Sequence, residues 1–145
     1  MRLWHKDLIP YLPDKQLISQ WRECCAIAGN IAKFGYPHHL LVNKIIDYPI
    51  DHFYSYTFLV LEEMKARDFE ISPRSFQNFQ FHMIKIGHGF SPESHSPQPY
   101  IFAGWHTYEY FLQCYYNLAE KHDCGGISDE EWKPIKAAKI TYVDH

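Results

Sequence analysis

Two ionisable side chains, Arg22 and Glu23, stand side by side near the start of the chain, directly after Trp21. A carboxylate that is half-sheltered from water can move protons and stabilise positive charge at a reacting carbon. A guanidinium fits a phosphate group with two parallel hydrogen bonds. A surface helix also carries such a pair for solubility alone. The question is therefore whether Glu23 and the first residue, Met1, meet in one site.

The element that would position this pair is a predicted helix over residues 15–33. Asp14 is a good N-cap, and Gly35 is a good C-terminal stop. Glu23 falls at the edge of the apolar face, beside Gln20, and Arg22 falls on the opposite face. The apolar face itself follows helical spacing through Leu17, Trp21, Cys24, Ala28 and Ile31.

The remaining elements are also predicted to be helical. Pro49 fits the first turn of a second helix that runs to residue 67, and its apolar middle makes it the central buried helix. A third helix is predicted over residues 105–123. Ser128 and Glu131 then form a capping box that opens a short helix.

Three stretches lack a helical pattern. Residues 68–104 show no clear period, residues 87–104 read as a long loop, and residues 139–143 are a weak strand candidate. The prediction is an all-α protein, a single compact domain over residues 1–145 with three main helices and long loops.

Length and composition limit the class of protein. A chain of 145 residues is expected to form one domain, and no apolar run approaches the ~20 residues that span a bilayer. We therefore expect a soluble, cytoplasmic monomer without membrane contact. Four cysteines without CxxC spacing are expected to be free thiols.

Charge is distributed unevenly along the chain. The net charge of −3 argues against a generic nucleic-acid binder. Residues 1–46, however, hold six basic side chains against three acidic ones, so the remainder carries −6. An anionic partner is expected to dock on the first third of the chain.

The histidines and tyrosines suggest two further hypotheses, a metal site and a surface on which bases stack. None of the histidines shows HxxxH spacing on a helix or a matching cysteine pair, so no metal and no cofactor is predicted. Tyr108, Tyr115 and Tyr116 could form a stacking platform for bases, but their helical spacing favours a core role. The histidines that could serve as ligands are His5, His38, His39, His82, His88, His95 and His106.

Several motifs resemble a known family. The pattern D-x2-L-x3-[aromatic]-R-E at residues 14–23, with Glu23 at the same distance from the initiator methionine, resembles the phage endonuclease V type of pyrimidine-dimer DNA glycosylase. The segment EEMKARDFEIS at residues 62–72 resembles a helix end in the same family. The opening MRLWHKDLIPYL is similar to a bacterial branch that begins MRLW. The resemblance covers about the first 75 residues.

The resemblance implies a function and site residues. It implies a small helical DNA repair glycosylase, with abasic-site lyase activity, that acts on damaged double-stranded DNA. An N-terminal α-amine would attack C1′ of the sugar and form an imine, and Glu23 would move the protons. Arg22 would hold the DNA backbone. The other residues expected at the DNA are Arg2, Trp4, His5, Lys15, Trp21 and Lys33.

Two features depart from that family, and a second class of function stays open. Arg2 is too large for ordinary methionine removal, so the attacking amine is assigned to Met1. The acidic net charge is the other departure. The alternative is a non-catalytic or divergent helical binding module, whose pocket of histidines and aromatic residues takes a nucleotide, a metal or a protein.

Overall fold

The computed structural model describes residues 1–87 and 100–142, and every regular element in these ranges is helical. The all-α prediction is therefore confirmed. There are also two short 3₁₀ helices: Lys6–Tyr11 precedes the first α-helix, and Asn43–Asp47 lies between the first and the second. The α-helices are α1 (Asp14–Phe34), α2 (Ile50–Ala66), α3 (Pro73–Ile86), α4 (Tyr108–Asp123) and α5 (Asp129–Thr141).

The first helix follows the predicted pattern except at its start. Gly35 ends α1 in the left-handed conformation (φ 86°), and its amide donates to the Ile31 carbonyl at 2.8 Å. Pro13, rather than Asp14, occupies the N-cap position. Asp14 begins the helix, and its carboxylate accepts instead from Arg67 Nη1 at 2.9 Å. The predicted N-cap role of Asp14 is wrong because this tertiary ion pair takes its side chain.

The second helix, α2, is the central buried element, as predicted. Its described side chains are enclosed over most of its circumference, and Phe53, Tyr56 and Val60 are fully buried. One hydrophobic core extends from Leu3 to Ile135, so the first and last helices pack on the same interior.

Helix α3 lies within residues 68–104, where the sequence shows no clear helical period. Ser72 caps it by accepting from the Ser75 amide, and Pro73 occupies its first turn. Phe79 and Met83 are fully buried, and Phe79 packs against Trp21 of α1 with ring centroids 5.5 Å apart. Exposed apolar residues such as Phe81 hide the helical spacing of these buried residues in the sequence. Packing on α1 defines the buried face of α3.

The C-terminal part corrects two boundaries. Thr107 caps α4 at the Tyr110 amide, so that helix begins three residues later than predicted. The capping box of Ser128 and Glu131 is present in both directions, at 3.1 and 2.9 Å. Helix α5 then continues to Thr141, so the weak strand prediction is wrong over residues 139–141. The described residues contain no strand with which residues 139–141 could pair.

Arg67, just after α2, joins three elements. Its Nη1 donates to the Leu12 carbonyl at 2.7 Å and to Asp14, and its Nη2 donates to the Pro10 carbonyl at 3.1 Å. Its Nε lies 3.8 Å from Glu63. The planar guanidinium thus holds the turn between the first 3₁₀ helix and α1 against the end of α2.

We predict that Arg67→Ala lowers the free energy of unfolding by about 1–3 kcal/mol, because two carbonyl groups lose a charge-assisted donor. Arg67→Lys should recover only part of this, since an ammonium cannot fork to both carbonyls. Urea denaturation measures both. The control is Lys65→Ala, which removes only an exposed pair with Glu62 (3.9 Å) and should change stability by less than about 0.5 kcal/mol. Equal effects at positions 65 and 67 would contradict the prediction.

Candidate active site

The first residues of the chain run through the core rather than over the surface. Leu3 and His5 are fully buried, and Trp4 is 8% exposed. The backbone carbonyls of residues 2–4 accept hydrogen bonds from side chains of three different helices. These bonds are Gln20 Nε2 to the Arg2 carbonyl (2.8 Å), Tyr110 Oη to the Leu3 carbonyl (2.6 Å) and Tyr56 Oη to the Trp4 carbonyl (2.6 Å). Helices α1, α4 and α2 therefore position this segment together.

Glu23 lies beside this segment, half-buried on α1. Its Oε2 accepts from the Arg2 amide at 3.3 Å and from Gln20 Nε2 at 3.1 Å. The α-amine of Met1 is three covalent bonds from that amide nitrogen, so it lies within about 7 Å of the same carboxylate oxygen. The structure thus brings Glu23 and the backbone of residues 1–2 into one place.

Gln20 connects these groups, although it is not among the site residues predicted from the sequence. It is fully buried, and its Oε1 accepts from the Trp4 amide at 2.8 Å. Because the Trp4 amide can only donate and the Arg2 carbonyl can only accept, the side-chain amide has one consistent orientation. The Tyr56 hydroxyl, with its single proton, is shared between Gln20 Oε1 (2.8 Å) and the Trp4 carbonyl. The available signal was a polar residue one turn before Glu23, at the edge of an apolar helix face.

Two buried histidines close the segment on its other side. His5 and His106 stack with ring centroids 5.1 Å apart. His5 Nδ1 accepts from the Asp7 amide at 3.1 Å, and His106 Nδ1 accepts from the Lys6 amide at 3.0 Å. Each ring is therefore a neutral Nε2–H tautomer, and neither Nε2 has a hydrogen-bond partner among the described residues.

Burial opposes charge on this pair. It lowers the pKa of His5 to about 4, with Asp7 opposing the shift and Lys6 adding to it. Burial also holds the pKa of His106 well below its usual value, and the neighbouring His5 and Lys6 add to that shift. The His5 ring is enclosed by the protein. Its contact with DNA remains a prediction.

The other side chains near the segment are also turned inward. The Arg2 guanidinium lies over the Trp4 ring, 5.5 Å from its centroid. Burial raises the pKa of Tyr110, and the nearby Arg2 opposes that rise. Trp21 is 5% exposed and packs on Phe79. The DNA contacts of Arg2, Trp4 and Trp21 remain predictions: both tryptophans are buried, and Arg2 is half-buried.

Three predicted cations are exposed on α1: Lys15, Arg22 and Lys33. They are separated by seven and eleven residues, so they point within about 20° of one another along the helix. They form one stripe about 27 Å long, next to the edge that carries Glu23. We call these three residues the basic stripe.

The described residues bear on the two hypotheses of a histidine metal site and a tyrosine stacking surface. Among residues 1–87 and 100–142, no group of three or more His, Cys, Asp or Glu side chains could hold a metal ion. His88 and His95 lie outside these ranges. Tyr115 is buried against Trp132 with ring centroids 5.2 Å apart, whereas Tyr116 is 57% exposed. All four cysteines are free, as predicted.

A comparison with known protein families gives a match. The model of the family described as pyrimidine dimer DNA glycosylase matches residues 1–76, which include α1, α2 and Glu23. The chain belongs to this family of DNA glycosylases, the class that cleaves the bond between a base and its sugar. No curated protein and no solved structure matches it. In the described ranges, no helix is long and apolar enough to cross a membrane.

We predict that acid weakens the fold through the buried histidine pair. Unfolded histidine titrates near pH 6.5, and the folded pKa of His5 is about 4. The unfolded state therefore binds more protons between these two pH values. The contribution of His5 to the free energy of unfolding is fully present above pH 6.5, and the free energy of unfolding should fall by about 3 kcal/mol as the pH drops to 4. His106 should add to this loss. Urea denaturation across that pH range measures it.

The variants for this test keep the acceptors that the backbone needs. In His5→Asn and His106→Asn, an amide oxygen can replace Nδ1 but cannot be protonated, so the double variant should show a flatter dependence on pH. The control is His38→Asn, at an exposed position with φ 63° where asparagine is tolerated. A double variant as acid-sensitive as the wild type would exclude the pair as the cause.

Proposed function

We propose that the chain is a DNA glycosylase with abasic-site lyase activity, and that an N-terminal amine and Glu23 carry out its chemistry. The observation that supports this most directly is the hydrogen bond of 3.3 Å from the Arg2 amide to Glu23 Oε2, which brings the carboxylate to the first residues of the chain. Family membership supports the glycosylase class, and the damaged base would be a pyrimidine dimer in double-stranded DNA.

The proposed reaction exchanges one carbon–nitrogen bond for another. The α-amine of Met1 attacks C1′ of the damaged nucleotide, the glycosidic bond breaks, and its electron pair leaves with the base, which takes up a proton. The amine loses a proton to the Glu23 carboxylate. The C1′–O4′ bond then breaks, O4′ takes up a proton, and an imine forms between Met1 and C1′. In the lyase step, a proton is removed from C2′, a C2′–C3′ double bond forms, and the C3′–O bond breaks so that the 3′ phosphate leaves. Met1, whose amine is the proposed nucleophile, is 37% exposed as a residue.

The basic stripe is the proposed phosphate-binding surface. Its length of about 27 Å corresponds to about eight base pairs of duplex. Arg22 lies next to Glu23, so a phosphate on Arg22 would place the duplex over the carboxylate. Four further residues are predicted from the sequence to contact DNA, and we propose that they support the site by packing around the first residues of the chain: Arg2, Trp4, His5 and Trp21. Cytoplasmic location and a monomeric state remain proposals.

The alternative, a binding module with a pocket of histidines and aromatic residues, receives less support. The histidine pair that would form such a pocket is enclosed, with His5 fully buried and His106 8% exposed. A small ligand would have to displace core side chains to reach either ring. The glycosylase proposal needs no such rearrangement, because Glu23 is already half-exposed.

We predict that borohydride traps a covalent adduct between the chain and duplex DNA that carries a pyrimidine dimer or an abasic site. Mass spectrometry should locate the adduct on the α-amine of Met1. A two-residue N-terminal extension should reduce trapping by about 10²-fold or more, because it moves the nucleophile from its place beside Glu23. The same extension at the C-terminus is the control and should have no effect.

Glu23→Gln completes this test. The amide keeps the shape of the side chain but cannot accept the proton, so the single-turnover rate should fall by about 10²-fold or more while the melting temperature stays nearly constant. Glu62→Gln, at an exposed position on α2, is the matched control. An adduct on a lysine side chain, or full activity of Glu23→Gln, would contradict the proposed mechanism.

We predict that Arg22→Ala weakens DNA binding and lowers the slope of log K against log salt concentration by about one unit. The reason is that one fewer counterion is released when the basic stripe meets the phosphates. Fluorescence anisotropy at several salt concentrations measures the slope. Lys136→Ala, an exposed cation on α5, should leave it unchanged. Equal slopes for Arg22→Ala and the wild type would favour the binding-module alternative.

A further inference from the structure

We propose that Gln20 is a positioning residue of this site, which sets the relative position of the Glu23 carboxylate and the backbone of residues 1–2. This inference rests on the proposed function and deepens it. Gln20 would not touch the substrate. It would act through Glu23 and through the peptide groups to which the attacking amine is attached.

The hydrogen bonds of Gln20 divide between its two ends. The oxygen end accepts from the Trp4 amide at 2.8 Å and from the Tyr56 hydroxyl at 2.8 Å. The nitrogen end donates one hydrogen to the Arg2 carbonyl at 2.8 Å and the other to Glu23 Oε2 at 3.1 Å. All capacity of the amide nitrogen is used, and the side chain is fully buried. One planar group therefore bridges the nucleophile's segment and the carboxylate.

This arrangement distinguishes the two oxygens of Glu23. Oε2 receives the Gln20 and Arg2 donors, at 3.1 and 3.3 Å. Oε1 has no hydrogen bond among the residues that the structure describes. We therefore assign proton transfer to Oε1, the oxygen that Gln20 leaves available. If Gln20 is lost, the carboxylate can rotate, and a displacement of about 1 Å in such a site can cost about 10²-fold in rate.

The first experiment compares Gln20→Met with a core variant that lacks contact with the site. Methionine keeps a similar length and volume and removes all four hydrogen bonds. Ile135→Ala opens a cavity at a fully buried position on α5 and serves as the control for lost stability. Both variants are assayed well below their melting temperatures, with folding checked by circular dichroism. Single-turnover rates and half-saturating DNA concentrations are measured on the substrate that the wild type cleaves.

The expected result separates positioning from stability. Gln20→Met should lose about 10²-fold in single-turnover rate, with a half-saturating DNA concentration within about twofold of the wild type. Ile135→Ala should lose melting temperature but keep its rate. Amide relaxation measured by NMR should show increased motion of Arg2 and Glu23 in Gln20→Met and not in Ile135→Ala.

The second experiment uses Gln20→Glu, which remains informative if Gln20→Met fails to fold. Two carboxyl groups about 3 Å apart share one proton, and that proton can bridge the new side chain to Glu23 Oε2. Relative to the wild type at the same pH, the rate should therefore fall when the shared proton dissociates and the two carboxylates repel each other. This adds a falling alkaline limb to the pH–rate profile that neither the wild type nor Ile135→Ala should show.

The outcomes distinguish this inference from the proposed function. A wild-type chain without activity on any damaged duplex would overturn the proposed function. With an active wild type, a rate for Gln20→Met within about threefold of the wild type would overturn the positioning role alone. So would a Gln20→Glu profile that matches the wild type in shape. A loss of rate in Ile135→Ala equal to that in Gln20→Met would also overturn it, because stability would then explain both.

Discussion

The structure depends on the burial of a polar backbone segment, residues 2–5, inside a helical core. This segment belongs to no helix or sheet, so its carbonyl groups have no regular partners. An unpaired buried carbonyl costs about 1–3 kcal/mol, and side chains from three helices supply the missing donors. The fourth carbonyl, that of His5, accepts from the Leu8 amide at 2.9 Å, at the start of the first 3₁₀ helix. The hydrogen bonds to this segment therefore help to fix the positions of the three helices.

Both halves of the chain contribute to this arrangement. The family match ends at residue 76, yet Tyr110 and His106 of the second half bind the Leu3 carbonyl and the Lys6 amide. Their contribution comes from the tips of single side chains. Such contacts leave little pattern in a sequence, although they complete the enclosure of the segment in three dimensions.

Charge is kept away from the interior and concentrated on one helix. The buried groups that bind the segment are a neutral amide, two phenols and a neutral histidine ring. Helix α1 carries the carboxylate and the cations of the proposed site outside its apolar face. Its apolar face packs on α2 and α3, Glu23 stands at the edge of that face, and the basic stripe lies toward solvent. One helix thus connects the core, the site and the surface proposed for DNA.

The sequence by itself determined much of this protein. Apolar spacing, caps and stops predicted α1, α2 and the start of α5, because these signals are local and follow from helix geometry. The motif at residues 14–23 indicated the family, which the match over residues 1–76 confirms, and it made Glu23 an expected site residue. Only the tertiary structure showed α3 and the length of α5, since their buried faces are defined by the helices on which they pack. It alone selected Gln20, because a glutamine at a helix edge becomes a bridge only when Trp4, Tyr56 and Glu23 surround it. Those partners lie 3 to 36 residues away along the chain, and folding alone brings them together.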